Sequence, residues 1–226
     1  EDSKKADGII LLGYGDYVDY EEKLAKLLAQ QTHFVCWGAE VLGHPEFTIR
    51  SNNWQGGYLA GEHLLNTGHR HFAFIGNASD NSPEFLARYQ GMVHALQQAG
   101  IAEDTVAQLD AISTEQAGFD AINELHAQGK RFDALFCASD LIAIGAIRAL
   151  QKKGLKVPED VAVVGFDDIP VASFSSPALT TIQQNTSLAG EMLVVNLLKL
   201  INHQAVELTE IQPKIIVRQS SGAAER

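Results

Sequence analysis

Residues 134–168 have the sequence ALFCASDLIAIGAIRALQKKGLKVPEDVAVVGFDD, in which two short apolar runs flank a helical pattern. Ala134–Cys137 and Val161–Phe166 have the composition of strands that are buried on both faces. Between them Asp140–Lys153 has helical spacing, and Gly154 suits the left-handed residue that ends a helix. A strand, a helix and a second strand in this order predict a parallel pair joined by a right-handed crossover.

The same alternation continues along the rest of the chain. Further strands are predicted at 8–12, 34–37, 47–49, 71–75, 105–109, 180–183 and 214–218. Helical patterns lie between them, such as one capped by Asn52 or Asn53 and another capped by Ser113 with Gln116. About nine strands are more than one compact sheet of this length needs, so we predict an α/β fold with two sheets.

Charge and cysteine content exclude several classes of function. The formal net charge is −11, from 17 Lys and Arg against 28 Asp and Glu, so this chain should bind nucleic acid poorly by itself. Cys36 and Cys137 both fall in apolar runs, which predicts buried thiols and neither a disulfide nor a metal site. We find no secretory signal and no apolar stretch of about 18 residues, so we predict no membrane contact.

Functional residues of a parallel sheet gather beyond the carboxyl ends of its strands. In this chain those segments are 13–17, 76–85, 138–140 and 167–168. They contain no Gly-rich phosphate loop, nucleophile elbow or HExxH motif, and His69 with His71 lacks a third metal ligand. Neighbouring carboxylates such as Asp167 and Asp168 point in different directions, which argues against glycosidase chemistry. We therefore predict a binding protein without catalytic residues, metal or cofactor.

Several segments, in this order and spacing, carry a family resemblance. They are NNWQGGYLAGEHL (52–64), GHRHFAFIG (68–76), ASDLIAIGA (138–146), VPEDVAVVGFDD (157–168), SPALTTI (176–182) and IVRQS (216–220). Together they resemble the effector-binding core of the lactose-repressor (LacI/GalR) family of transcription regulators.

The resemblance implies two lobes of the periplasmic-binding-protein-like type I fold, each a parallel sheet flanked by helices. Residues 1–68 with 183–210 would form the DNA-proximal lobe, and residues 69–182 with 211–226 the other, with crossings near 68, 182 and 211. The family core begins with two further strand–helix units, so the first lobe is expected to be incomplete at its N-terminus. The DNA-binding headpiece is also absent from these residues.

The function that the resemblance implies is the sensing of a small-molecule effector, a sugar, bound between the lobes. Its binding would bias how a cytoplasmic homodimer engages operator DNA through the missing headpiece. An exported sugar-binding protein of a transporter has the same fold and is the alternative. The VPEDV and SPALTTI strings favour the regulator, while inducer and corepressor mechanisms both stay open.

Two charged residues occupy positions at which the family contacts the effector. Arg88 offers planar donors that suit neighbouring sugar hydroxyls, although an exposed helix arginine is the plain alternative. Asp167 directly follows a strand and could accept two hydroxyl hydrogen bonds, although a turn role would also explain it.

The other candidates have equally good structural explanations. Ser139 stands where many relatives carry a ligand-contacting Asn, but it could simply cap a helix, as could Asn53. Gln55 matches a helix start that faces the ligand in relatives, and Trp54 could stack on a sugar face or pack between the lobes. Phe85 and Tyr14, on post-strand loops, could supply the apolar walls that a sugar needs.

Overall fold

The structure is a computed structural model, and it describes residues 6–13, 20–38, 41 and 43–222. Within these ranges the strands form two separate sheets, one of four strands and one of six. The helices lie between successive strands in the chain, as the alternating pattern requires. The prediction of an α/β fold with two sheets is therefore confirmed.

In chain order the strands of the described residues are β1 (Ile9–Leu12), β2 (Phe34–Trp37), β3 (Thr48–Ser51), β4 (Phe72–Ile75), β5 (Ala107–Leu109), β6 (Ala134–Cys137), β7 (Ala162–Asp167), β8 (Thr180–Gln183), β9 (Thr209–Ile211) and β10 (Lys214–Ile216). The α-helices are α1 (Tyr20–Ala29), α2 (Asn53–Asn66), α3 (Pro83–Gln98), α4 (Glu115–Ala127), α5 (Asp140–Lys152) and α6 (Thr186–Ile201).

The first unit comprises residues 1–52, 81–84 and 185–212. Its sheet has the order β1-β2-β3-β9, and every neighbouring pair is parallel. The side chains of Val35 and Ile49 on the sheet pack with Leu193 of α6 in one apolar cluster. Leu24 of α1 packs with Phe34 in a second cluster. The sequence analysis did not predict β9.

The second unit comprises residues 53–80, 85–184 and 213–226. Its sheet has the order β10-β8-β7-β6-β4-β5. All neighbouring pairs are parallel except β10 with β8, so the predicted parallel sheet has one antiparallel edge strand. Four fully buried phenylalanines fill its core, namely Phe72, Phe74, Phe136 and Phe166. Because β4, β6 and β7 are neighbouring parallel strands, their carboxyl ends lie side by side.

The boundary between the units differs from the predicted one at residue 68. The first segment of the first unit ends at Asn52, and α2 belongs to the second unit. A Cβ atom added at Gly57 would lie 1.9 Å from the carbonyl oxygen of Arg88, so α2 packs directly on the backbone of α3. Leu64 of α2 is fully buried in the core of the second unit. The chain also passes between the units on either side of Asn81–Glu84, after Gln184 and after Gln212.

Three local predictions can be compared with the structure. Both Cys36 and Cys137 are buried free thiols, as predicted. The predicted cap at Ser113 is wrong by one residue, because the side chain of Thr114 accepts the hydrogen bond from the Ala117 amide. Among the described helices none combines the length and hydropathy needed to span a membrane.

Candidate functional site

Arg88 is the central residue of the candidate site, and α3 places it under the carboxyl end of β7. Its side chain is 6% exposed, so the predicted alternative of an exposed helix arginine does not describe it. Nε donates to Oδ1 of Asn53 over 2.8 Å, and Nη1 donates to the carbonyl oxygen of Ala138. These bonds connect the beginning of α2 and the end of β6 to one guanidinium group.

Two aromatic rings flank the same guanidinium group. Its carbon Cζ lies 3.6 Å from the ring centroid of Phe166 on β7 and 5.2 Å from that of Phe85 in α3. Cation–π contacts of this kind hold the planar group in a fixed orientation. The side chain of Arg88 is thus positioned before any ligand binds.

Asp167 faces Arg88 from the end of β7, with Nη1 of Arg88 3.9 Å from its Oδ1. Oδ1 also accepts a 2.7 Å hydrogen bond from Nε2 of Gln184, while the side chain keeps 29% exposure. Burial raises the pKa of Asp167, and the charge of Arg88 and the Gln184 bond oppose that rise. Its backbone has φ of 117°, a conformation that non-glycine residues rarely adopt.

Asp168, the neighbouring carboxylate, has a structural role. Its Oδ1 lies 2.6 Å from Nη2 of Arg218, and its Oδ2 accepts from Nε2 of Gln183. Both oxygens are therefore used within the second unit. The two adjacent carboxylates have different partners, which agrees with the expectation that they point in different directions.

Ser139 caps a helix in this structure. Its side chain is almost fully buried, and Oγ accepts from the amide of Ile142 in the first turn of α5. Oγ of Ser113 completes its hydrogen bonding over 2.7 Å. The capping alternative thus explains Ser139, and nothing in its contacts requires a ligand.

Trp54 and Gln55 follow Asn53 in the first turn of α2. The ring of Trp54 is 39% exposed and stacks on Tyr58, with His94 of α3 beside it. These ring contacts lie within the second unit. Gln55 is half-buried in the same turn. Tyr14 lies outside the described residues.

Asp140, the first residue of α5, is a buried carboxylate that was not among the predicted site residues. It is fully buried at the start of α5 and accepts hydrogen bonds from the Ile169 amide and the Thr181 hydroxyl. Burial raises the pKa of Asp140 to about 7, the charges of Asp167 and Asp168 add to the rise, and the two hydrogen bonds oppose it.

The sequence analysis also missed Gln184 and Phe166, for different reasons. Gln184 directly follows β8, so the rule of strand carboxyl ends could have found it. Phe166 has the pattern of an ordinary core residue, and only the fold shows that its ring lies beneath Arg88. The carbonyl of Ala138 carries no side-chain signal at all.

The arrangement suits a polar ligand without net charge. Arg88 and Asp167 place opposite charges 3.9 Å apart, a donor group beside an acceptor group. Within the described part of the chain no group of three or more His, Cys, Asp or Glu side chains could hold a metal ion. Fold and site together define a binding domain of the periplasmic-binding-protein type.

Comparison with known proteins places the domain in a family. The sequence profile of the periplasmic-binding-protein-like domain matches residues 62–221. The chain belongs to this family and, within it, to the effector-binding cores of LacI/GalR transcription regulators.

Curated relatives include repressors of similar sequence. The HTH-type transcriptional repressor PurR of Histophilus somni is 32% identical over 223 residues, covering 96% of this chain and 65% of the relative. Its namesake in Yersinia enterocolitica is 34% identical over 228 residues, covering 96% of this chain and 64% of the relative. The chain thus spans somewhat less than two thirds of the length of these relatives.

Solved structures of regulators have the same fold. A LacI-family regulator from Burkholderia phymatum superposes with a TM-score of 0.87 at 26% identity, covering 97% of this chain and 79% of the other. The regulator CelR in complex with cellobiose gives 0.85 at 31% identity, covering 97% and 67%. A LacI-family regulator from Enterococcus faecium with bound ribose gives 0.85 at 26% identity, covering 97% and 81%.

Proposed function

We propose that this chain is the effector-sensing core of a transcription regulator and that its effector is a small neutral sugar. The observation that carries the proposal is the Arg88–Asp167 pair at the carboxyl end of β7, anchored by Asn53 and flanked by Phe85. A guanidinium group and a carboxylate can bond adjacent hydroxyls as donor and acceptor, while their opposite charges leave the site neutral. The cellobiose and ribose complexes of the relatives support a sugar as the ligand class.

The mechanism that we propose is a coupling between effector and operator binding. An effector changes operator affinity only as far as its own affinity differs between the two functional states. The net charge of −11 argues that operator DNA binds through a headpiece and not through these residues. Such a regulator acts in the cytoplasm and has no catalytic role.

Self-association is part of the proposal. The second unit exposes Ile112 by 71% and Phe174 by 86%, which is unusual for side chains of this size. Both follow parallel strands of one sheet, β5 and β7, beyond their carboxyl ends. We propose that these side chains belong to a surface that meets another protein, and a homodimer is the simplest assembly of that kind.

Titration of the chain with ribose and cellobiose by calorimetry tests the proposed ligand class, followed by a panel of neutral mono- and disaccharides. We expect saturable one-site binding of at least one sugar. If no sugar of the panel gives a measurable heat of binding, the proposal that the effector is a sugar is wrong.

Operator binding tests the proposed role in regulation. In the full-length protein, a sugar that binds the core should shift the midpoint of an operator titration. If the sugar binds but the midpoint stays constant, the exported transport protein becomes the better explanation. The coding sequence just upstream separates these classes directly, since a regulator encodes a helix–turn–helix there and an exported protein a secretory signal.

A further inference from the structure

The segment that follows β7 has an unusual backbone at the point where the candidate site needs accuracy. Asp167 and Asp168 both have positive φ, 117° and 57°. Residues in such conformations persist only where surrounding contacts hold them. The contacts that hold this segment therefore determine where the carboxylate of Asp167 lies relative to Arg88.

Asp140 supplies two of those contacts from beneath the segment. Its Oδ2 accepts a 2.9 Å hydrogen bond from the amide of Ile169. Its Oδ1 accepts from the hydroxyl of Thr181 on β8, and the oxygen of that hydroxyl accepts in turn from the amide of Asp168. One carboxylate thus fixes the backbone at Asp168 indirectly and at Ile169 directly.

The residues around Asp140 leave room for its carboxylate. A Cβ atom added at Gly165 on β7 would lie 2.3 Å from Oδ1 of Asp140, so a glycine is needed where β7 passes it. Yet Ser139, and not Asp140, caps α5. Helix capping therefore does not explain a fully buried charge at this position.

We propose that Asp140 is a positioning residue of the effector site, holding Asp167 against Arg88 through the backbone of Asp168 and Ile169. The inference rests on the proposed function, because it assigns to Asp140 a role in the binding of the same effector. Asp140 itself lies beneath the segment and does not contact the ligand.

The charge of Asp140 makes this role dependent on pH. Burial and the nearby carboxylates bring its pKa to about 7. The groups facing it are the neutral thiol of Cys137 on β6, Asp167 and Asp168 beyond β7, and Thr181 on β8. Arg88 and Arg218 pair with the two other carboxylates, and no cation of the described residues is among the causes of the Asp140 shift. Hydrogen bonds to an ionised acceptor are roughly twice as strong as neutral ones. The Ile169 bond therefore weakens as the pH falls from 8 to 6.

Stability should respond in the opposite sense. The folded pKa of about 7 lies above the ordinary value of 3.8, so the folded state holds a proton that the unfolded chain has lost. Between these values stability falls as the pH rises, and above pH 7 the buried charge is a fixed cost. Because this charge lowers the stability of the fold, stability alone does not explain an aspartate at position 140.

Amide NMR of the wild-type chain tests the positioning contacts without any ligand. The Ile169 amide resonance should titrate with a midpoint near pH 7, the pKa of Asp140. In Asp140→Asn this titration should be absent, and the Arg88 Nε–H resonance should shift because Asp167 has moved. An Ile169 resonance that is constant between pH 6 and 8 would overturn the proposal.

Ribose titrations of the same proteins test the consequence for binding. Wild-type affinity should fall several-fold from pH 8 to pH 6, whereas Asp140→Asn should bind about 10-fold more weakly at pH 8 and show no such fall. Its melting temperature at pH 8 should be unchanged or higher. A lower melting temperature with unchanged affinity would make Asp140 a purely structural residue.

Thr181→Val is the matched variant, since it keeps the Asp140 charge and the Ile169 bond. The Thr181 bond lowers the pKa of Asp140, so its removal should move the pH step to a higher value without abolishing it. A step that disappears, or stays at its wild-type pH, would contradict the role of Asp140. If ribose fails to bind the wild type, the sugar proposal fails for this probe, and the Ile169 and Arg88 resonances still decide the role of Asp140.

Discussion

Arg88 and Asp167 form one site but should respond differently to substitution. Arg88 is buried and joins Asn53, Ala138 and the Phe166 ring, so its removal affects packing as well as binding. The side chain of Asp167 is more exposed, at 29%. Its partial burial still raises its pKa, which disfavours the charged form. We therefore expect folding to tolerate the loss of Asp167 better than the loss of Arg88.

Asp167→Asn should weaken binding of the cognate sugar by about 30-fold or more, because it leaves Arg88 without its counter-charge. Asn tolerates positive φ, so the backbone should be kept and the melting temperature should change little. Calorimetric titration measures the affinity. The control is Asp104→Asn. Asp104 is exposed and lies before β5, the edge strand at the opposite side of the sheet from β10. Equal affinities of the two variants would place Asp167 outside the site.

Asn196 presents a different problem, in the core of the first unit. Its side chain is 2% exposed on α6, and among the described residues Nδ2 has no hydrogen-bond partner. A buried unsatisfied amide costs about 1–3 kcal/mol, so Asn196→Leu should raise the free energy of unfolding by about 1 kcal/mol after imperfect packing is allowed for. Urea unfolding measures this. Asn202→Leu, which removes a satisfied amide at the end of the same helix, should give no such gain. A loss of stability in Asn196→Leu would indicate that the amide is bonded.

The sequence could predict an element wherever that segment has an apolar pattern of its own. Strands β2, β4, β6 and β7 were predicted because each is a short apolar run buried on both faces. The three residues of β9 were missed because a Thr-Glu-Ile segment has no apolar pattern to detect. The apolar face of α2 predicted a helix correctly but not which sheet that face would cover.

The site shows the same limit. The family resemblance and the strand-end rule identified Arg88, Asp167 and Asn53, which the structure brings together. Neither could separate a cap from a contact at Ser139, because both uses need the same hydroxyl at the same helix start. The contacts of Asp140 depend on Thr181, 41 residues later in the chain. No local pattern can contain that information.

The crossing of α2 and α3 is the contact that brings Asn53 to Arg88, and it depends on glycine. A Cβ atom at Gly57 would meet the Arg88 carbonyl oxygen at 1.9 Å, and one at Gly91 would meet that of Trp54 at the same distance. Gly57→Ala should therefore force the helices apart, destabilise the fold by about 1–3 kcal/mol and weaken sugar binding. Chemical denaturation and calorimetry measure the two effects.

Gly190→Ala is the matched control for that prediction. Gly190 lies inside α6, and no atom is found within 4 Å of the position that its Cβ would occupy. Alanine is favoured over glycine in a helix interior by about 1 kcal/mol, so this variant should be slightly more stable and bind sugar normally. If both glycine variants are equally stable, close packing of α2 on α3 is not the reason for Gly57.

Assembly into a dimer would explain why the second unit exposes large apolar side chains. The side chain of Phe174 is 86% exposed at the end of the short 3-10 helix Pro170–Phe174, only a few residues beyond Asp167. If Asp167 contacts the ligand and Phe174 a partner subunit, as we propose, this short segment connects the two contacts. Transmission between them requires that the two states differ at both places.

Phe174→Asp should therefore weaken self-association without unfolding the chain. An aromatic anchor at the centre of an interface contributes about 2 kcal/mol or more, so the dimer dissociation constant should rise by at least about 30-fold. Sedimentation velocity over a micromolar concentration series measures this, with the melting temperature of the dissociated chain as the check on folding. Val217→Asp, which adds the same charge at a residue 41% exposed after β10, should leave association unchanged. A wild-type chain that sediments as a monomer at micromolar concentration would remove the dimer and favour the transport protein, whereas a dimer insensitive to Phe174→Asp would place the interface elsewhere.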